Sequence, residues 1–142
     1  MSSTDRCPLP NAPMTNQIQQ SANNRLGAVY SALYSFWSAR HAATTANRQG
    51  FGARRDAYSV TLFNQTTTQI LSNDFTSSPD QLLGTVLQYW ADGGTNFSAA
   101  LRTGQEVLEQ HWSTERFVAL FRLCNSFCFD AVIQNACHDL PV

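Results

Sequence analysis

Stretches with helical hydrophobic periodicity alternate along the chain with shorter stretches that suit strands. From Asn16 onward, Ala22, Leu26, Val29 and Leu33 recur at steps of three and four residues. Because this spacing places apolar side chains on one side of a helix, it predicts a long first helix. The polar and glycine-containing segment 42–52 then predicts a loop.

Two strands are predicted after this loop. In the segment 56–64, Tyr58, Val60 and Leu62 alternate with Ser59, Thr61 and Phe63, so a strand is predicted in which both faces carry some apolar surface. Asn64-Gln65 predicts a tight turn, and the Thr-rich segment 66–71 predicts a strand at a sheet edge.

Two further helices and a strand complete the predicted order. Ser78 followed by Pro79 is a typical helix start, with Ser at the cap and Pro at the first helical position. The expected apolar side of this helix comprises Leu82, Leu83, Val86, Leu87 and Trp90. A helix from about Phe97 to Trp112 follows, with an apolar side of Ala100, Leu101, Gly104, Val107, Leu108 and His111. The apolar run 117–121 predicts a buried strand, and 131–136 predicts a short helix.

This order of elements favours an α/β fold of the doubly wound, Rossmann-like kind. We expect an irregular lead-in over 1–15, a domain over 16–123 and a tail of uncertain structure over 124–142. The chain has 142 residues and a net charge of −1, so nothing indicates nucleic acid or an anionic membrane as partner. No stretch is apolar enough for a membrane span, and the N-terminal residues lack the apolar core of a secretory signal, which favours the cytoplasm.

The loop Asp92-Gly93-Gly94-Thr95-Asn96 is the main candidate site. Its glycines allow a tight turn and a close approach of the backbone to a ligand. Thr95 offers a hydroxyl of the kind that binds Mg²⁺, and Asp92 is close enough in sequence to assist. The alternative interpretation is structural, because Thr95 or Asn96 also suits the cap of the helix that follows.

The segment Gly93-Gly-Thr-Asn-Phe-Ser-Ala-Ala-Leu101, with the strand-like segment 56–64 upstream, resembles the von Willebrand factor type A domain family. The resemblance covers about residues 25–116 and is nearest to the intracellular fungal and protist members. It implies a mostly parallel sheet with an antiparallel hairpin at one edge. It also implies a metal-ion-dependent adhesion site, in which Thr95 matches the loop threonine that binds the metal.

Two parts of the family pattern are missing, so the chain resembles a truncated or degenerate member. No Asp-x-Ser-x-Ser run precedes the first helix, and no apolar strand precedes Ser2-Ser-Thr-Asp5. After 117–121 the family's Ser-Asp is replaced by Arg122-Leu. If TTC-CGA encodes Phe121-Arg122 and a C begins the next codon, the same bases read TCC-GAC, which encodes Ser-Asp, one frame over. We therefore hypothesise a shifted reading frame after about Arg116.

These losses predict a partial sheet whose central first strand is missing. Buried main-chain groups without partners cost about 1–3 kcal/mol each. We therefore expect a marginal or partner-dependent fold. Either residues 57–63 pair directly with 117–123, or the long first helix shields the gap.

The expected function is a protein-interaction module, without catalysis, whose metal site is incomplete and whose Mg²⁺ is weak or absent. Its partner is expected to be a protein, and the sequence does not define its oligomeric state. The alternatives are a gene-model fragment without independent function and a small α/β enzyme using Asp92, Thr95 and His111. Cys124, Cys128, Cys137 and His138 also contain zinc-ligand types, but their spacing lacks Cys-x₂-Cys, and idle or buried thiols are the favoured interpretation.

Overall fold

The computed structural model describes residues 11–46, 56–90, 93–111, 115–123 and 129–136, the last two ranges by their backbone. The helices in these ranges are α1 (Thr15–Ser21), α2 (Arg25–Ala46), α3 (Pro79–Val86) and α4 (Phe97–His111). The strands are β1 (Ala57–Phe63), β2 (Thr67–Asp74), β3 (Glu115–Leu123) and β4 (Phe129–Ala136). No helix in the described ranges is long and apolar enough to cross a membrane.

The described residues form two compact units. The first contains α1, α3 and α2 up to Ala43, and the second contains the four strands and α4. The core of the first unit is apolar and aromatic. Its buried side chains include Ile18, Leu26, Tyr30, Leu33, Trp37, Leu82, Leu83 and Val86.

The predicted long first helix is in fact two helices, α1 and α2. The side-chain oxygen of Asn24 accepts hydrogen bonds from the main-chain N–H groups of Leu26 and Gly27, at 2.9 and 3.3 Å, and so caps α2. The carbonyl of Ala22 lies against Gly27, where a Cβ atom would collide with it. The prediction of one continuous helix is therefore corrected, because hydrophobic spacing alone does not reveal a cap inside a periodic segment.

The predicted start of α3 is confirmed. Ser78 and Gln81 form a capping box, in which the Ser78 hydroxyl accepts from Gln81 N–H and the Gln81 side chain accepts from Ser78 N–H. The helix ends at Val86, earlier than predicted. Trp90 lies beyond this end and is 77% exposed, so it does not belong to the apolar side of the helix as expected.

The second unit contains a four-stranded sheet in the order β2-β1-β4-β3. β1 and β2 form the expected antiparallel hairpin, with Phe63 opposite Thr67 and Leu62 opposite Thr68. The mixed α/β character and this edge hairpin are confirmed, and the sheet does not close on itself.

The directions of the other strands differ from a doubly wound sheet. β1 pairs with β4, and β3 pairs with β4, and both pairings are antiparallel. For β3 and β4 the physical reason is the length of the connection. Parallel neighbours need a crossover of a dozen or more residues, whereas only residues 124–128 separate β3 from β4. The expected parallel arrangement is corrected to an antiparallel sheet in the described residues.

β4 occupies the place beside β1 that we expected to be vacant. Residues 131–136, predicted as a short helix, are part of this strand, and Val60 of β1 lies opposite Ala131. The expected direct pairing of 57–63 with 117–123 is also wrong, because β4 lies between these segments. Valine, isoleucine and phenylalanine in 129–133 are typical strand formers, a signal that the helix prediction overlooked.

α4 packs on the β1–β2 hairpin. The rings of Phe63 and Phe97 have centroids 5.9 Å apart, and Thr103 Oγ1 donates to Thr67 Oγ1 at 3.0 Å. Ala100 is buried on this helix, whereas Leu101, predicted on the apolar side, is 55% exposed. The helix thus holds one end of the hairpin in place.

Candidate functional site

The glycine loop 93–96 lies against the turn between β1 and β2. The main-chain N–H of Asn96 donates to the main-chain carbonyl of Asn64 at 2.6 Å. Asn64 also organises its own turn, because its side-chain oxygen accepts from the N–H and the hydroxyl of Thr66 at 2.8 and 3.1 Å. The loop and the turn therefore form one connected polar surface, which we call the loop–turn surface (residues 64–66 and 93–96).

The close approach of loop and turn explains Gly93. Gly93 has φ 77°, a left-handed conformation that disfavours side chains, and a Cβ there would lie 3.3 Å from Asn64 Nδ2. A Cβ at Gly94 would lie 3.4 Å from Gln65 Cγ. Packing against the turn and the left-handed backbone therefore account for Gly93 without a ligand, whereas a Cβ at Gly94 would make an ordinary van der Waals contact.

Asn96 is the capping residue of α4. Its side-chain oxygen accepts from the N–H of Ala99 at 3.0 Å, and its amide Nδ2 donates to the carbonyl of Gln65 at 3.4 Å. This geometry supports the structural interpretation of Asn96, because the amide oxygen already has a partner within the helix. The cap fixes the direction in which α4 leaves the loop.

Thr95 is exposed and lies between the glycines and the cap. It is therefore accessible to a partner from solvent. Asp92, the other predicted member of the site, lies outside the described residues.

The donors that the structure brings to this loop do not form a magnesium site by themselves. Those of the described residues are neutral: the Thr95 hydroxyl, the Gln65 carbonyl and the Asn64 amide, whose oxygen accepts from Thr66. Mg²⁺ gives up its water reluctantly and is usually held through carboxylates. In the part of the chain that the structure describes, no group of three or more His, Cys, Asp or Glu side chains is arranged to bind a metal ion.

The possible zinc set falls outside the described residues, since Cys124, Cys128, Cys137 and His138 are all in undescribed segments. His111, proposed for the enzyme alternative, ends α4 and is half-buried. α4 begins at Phe97, fourteen positions before His111, so about 20 Å along the helix axis separates His111 from the end of α4 that follows Thr95.

Sequence reasoning did not identify the turn residues Asn64 and Gln65 as part of the site. They are 31 or 32 positions from Asn96 along the chain, a distance at which periodicity carries no information. It also missed the irregular course of β2, where Asn73 has φ 49° and its N–H donates to the buried Ser59 hydroxyl at 2.9 Å. The only signal for the latter is the polar segment Ser72-Asn-Asp74 within a strand pattern.

No protein-family model matches the chain, and comparisons with characterised proteins and with solved structures give no match either.

Proposed function

We propose that this chain is a protein-interaction module that binds its partner through the loop–turn surface, without catalysis. The observation that carries the proposal is the exposed Thr95 on a loop held by main-chain hydrogen bonding to the neighbouring turn. A loop that is already ordered loses little conformational entropy when it binds, which favours recognition. The likeness to the von Willebrand factor type A family points to the same loop.

The proposed binding does not require magnesium. In the resembled family a carboxylate of the partner completes the shell of the metal, and the metal couples binding to that carboxylate. Here the ligand atoms that the described residues bring to the loop are neutral, and Thr95 alone matches a metal ligand of that family, so Mg²⁺ is expected to be weak or absent. A partner would instead contact the Thr95 hydroxyl and the main chain of the glycines. A cytoplasmic location, expected from the sequence, stays part of the proposal.

Selection of linear peptides from a random display library on the folded full-length chain tests the proposal. Selected peptides should shift the amide NMR signals of Gly93, Gly94 and Thr95, and their affinity should be the same in Mg²⁺ and in EDTA. A selection that yields no binder, or binders that shift only signals remote from residues 64–66 and 93–96, contradicts the proposed surface. Affinity that disappears in EDTA contradicts the metal-independent mode.

A further inference from the structure

β2 forms one edge of the sheet of described strands, next to β1 alone. The direction of its main-chain groups follows from the turn. The N–H of Asn64 donates to the carbonyl of Thr66 at 2.9 Å, so the main-chain groups of these two residues point toward each other. In an antiparallel ladder, paired and outward-pointing positions alternate along each strand.

This alternation identifies the free main-chain groups of the edge. Thr68, opposite Leu62, points its N–H and carbonyl toward β1. Thr67 and Gln69 therefore point theirs away from β1, and no described residue pairs with these groups. Gln69 is exposed. The edge thus presents two donor–acceptor sets with the spacing of a strand.

Apart from Asp74 at its end, the edge strand carries none of the residues that usually discourage pairing. Positions 67–73 contain no charged residue and no proline. Irregularities in the register limit the regular part instead. β2 uses one residue more than β1 between the pairs Thr61↔Gln69 and Val60↔Leu71, and again between Val60↔Leu71 and Tyr58↔Asp74. The regular edge is therefore the three-residue segment 67–69.

This segment is held in place before any partner arrives. The Thr67 hydroxyl accepts a hydrogen bond from the Thr103 hydroxyl of α4 at 3.0 Å. The turn that precedes Thr67 is bound to the glycine loop by the main-chain hydrogen bond from Asn96 to Asn64. A partner strand would consequently meet an ordered template that continues directly into the loop–turn surface.

We propose that β2 binds an extended polypeptide segment of the partner protein, which adds to the sheet as a further strand over residues 67–69. Alternating N–H and carbonyl groups at strand spacing are matched by the main chain of another strand, which makes an extended peptide the fitting ligand. A second copy of this chain fits less well. In a symmetric pairing both strands would be limited to their three regular residues, whereas a linear peptide can pair along 67–69 and continue onto the loop–turn surface.

This inference rests on the proposed function, because it states how the same partner is held beside the loop. The probe is therefore the set of linear peptides selected on the full chain. Peptide binding should slow the hydrogen exchange of the Thr67 and Gln69 amides. The Thr68 amide, which already pairs with Leu62, should change little.

Two variants at position 69 distinguish binding through the main-chain N–H from binding through the side chain. Gln69→Pro removes the outward N–H without removing a ladder hydrogen bond to β1, a position where an edge strand tolerates proline. It should lower peptide affinity about tenfold or more. Gln69→Ala keeps the N–H and should bind within about twofold of wild type. Unfolding curves of both variants show whether the fold is intact.

The outcomes distinguish this inference from the proposed function. Strand addition is overturned if the hydrogen exchange of the Thr67 and Gln69 amides is unchanged, or if Gln69→Pro and Gln69→Ala lose the same affinity. The proposed function stands in either case if the peptides still shift the amide signal of Thr95. If Gln69→Pro does not fold, the hydrogen exchange of the Thr67 and Gln69 amides in the wild-type protein still tests strand addition. A selection without any binder overturns both proposals.

Discussion

The main-chain N–H of Asn96 lies 2.6 Å from the main-chain carbonyl of Asn64, so the start of α4 is joined to the end of β1 across 32 positions of sequence. This hydrogen bond needs close contact between loop and turn. Gly93 provides it, because a Cβ at this position would lie 3.3 Å from Asn64 Nδ2, whereas a Cβ at Gly94 would make an ordinary contact with Gln65.

Gly93→Ala should destabilise the protein by about 1–2 kcal/mol, since alanine is unfavourable in the left-handed conformation with φ 77°. The added Cβ would also press on Asn64 Nδ2 at 3.3 Å. Gly94→Ala is the matched control, because its Cβ would meet the flexible side chain of Gln65. Urea unfolding measures both variants, and equal stabilities for the two alanines would contradict this account of the loop.

Asn96→Ala should cost about 1 kcal/mol, because the N–H of Ala99 loses its capping oxygen. Asn96→Asp retains an oxygen at the helix N-terminus and should keep most of this stability. The free energy of unfolding of both variants, compared with wild type, is the measurement. A cap role is excluded if the alanine and the aspartate variants are equally unstable.

Local signals sufficed for α3, where Ser78 and Pro79 mark the start, and for the hairpin on either side of Asn64-Gln65. They did not suffice for β4, because strand neighbours depend on contacts between distant segments. The resemblance to a parallel family also directed attention to a vacant position beside β1 that β4 fills.

The candidate loop itself was predictable as a glycine turn before a helix, but its environment was not. Whether Asn96 binds a ligand or caps α4 depends on the direction of its side chain, which the sequence does not encode locally. The pairing of the loop with Gln65 arises from tertiary packing alone.

A chain ending after Leu123 should lose cooperative unfolding. It lacks β4, so the facing main-chain groups of both β1 and β3 lose their partners. At about 1–3 kcal/mol for each buried group, the loss exceeds the stability of about 5–15 kcal/mol of a typical domain.

The control for this truncation is a chain ending after Ala136, which retains every described strand. Circular dichroism during urea titration compares the two. A sigmoidal transition with the wild-type midpoint in the shorter chain would show that β4 does not support the sheet.

Stability should fall above pH 10 partly because of Tyr30. Its hydroxyl donates to the carbonyl of Tyr89 at 3.0 Å, and burial raises the pKa of Tyr30 above its ordinary value of 10.0. Since the unfolded chain ionises this group first, its contribution is complete below about pH 10 and is lost as pH rises through the higher folded pKa.

Tyr30→Phe should therefore cost about 1 kcal/mol at neutral pH through the lost hydrogen bond, and should lose less further stability above pH 10 than wild type. Some alkaline loss should remain, because the hydrogen bond to Asp80 also raises the pKa of Tyr34. Urea unfolding at neutral and alkaline pH measures the difference. Identical pH dependence in the two proteins would contradict the role of Tyr30.

The affinity of a selected peptide for Thr95→Arg, compared with that for Gln110→Arg, tests the central claim most directly. Both positions are exposed, and both changes add the same charge and bulk, but only Thr95 belongs to the loop–turn surface. Calorimetry should show affinity lowered about tenfold or more in Thr95→Arg and unchanged in Gln110→Arg. Wild-type affinity in Thr95→Arg, or an equal loss in both variants, would show that the partner binds elsewhere.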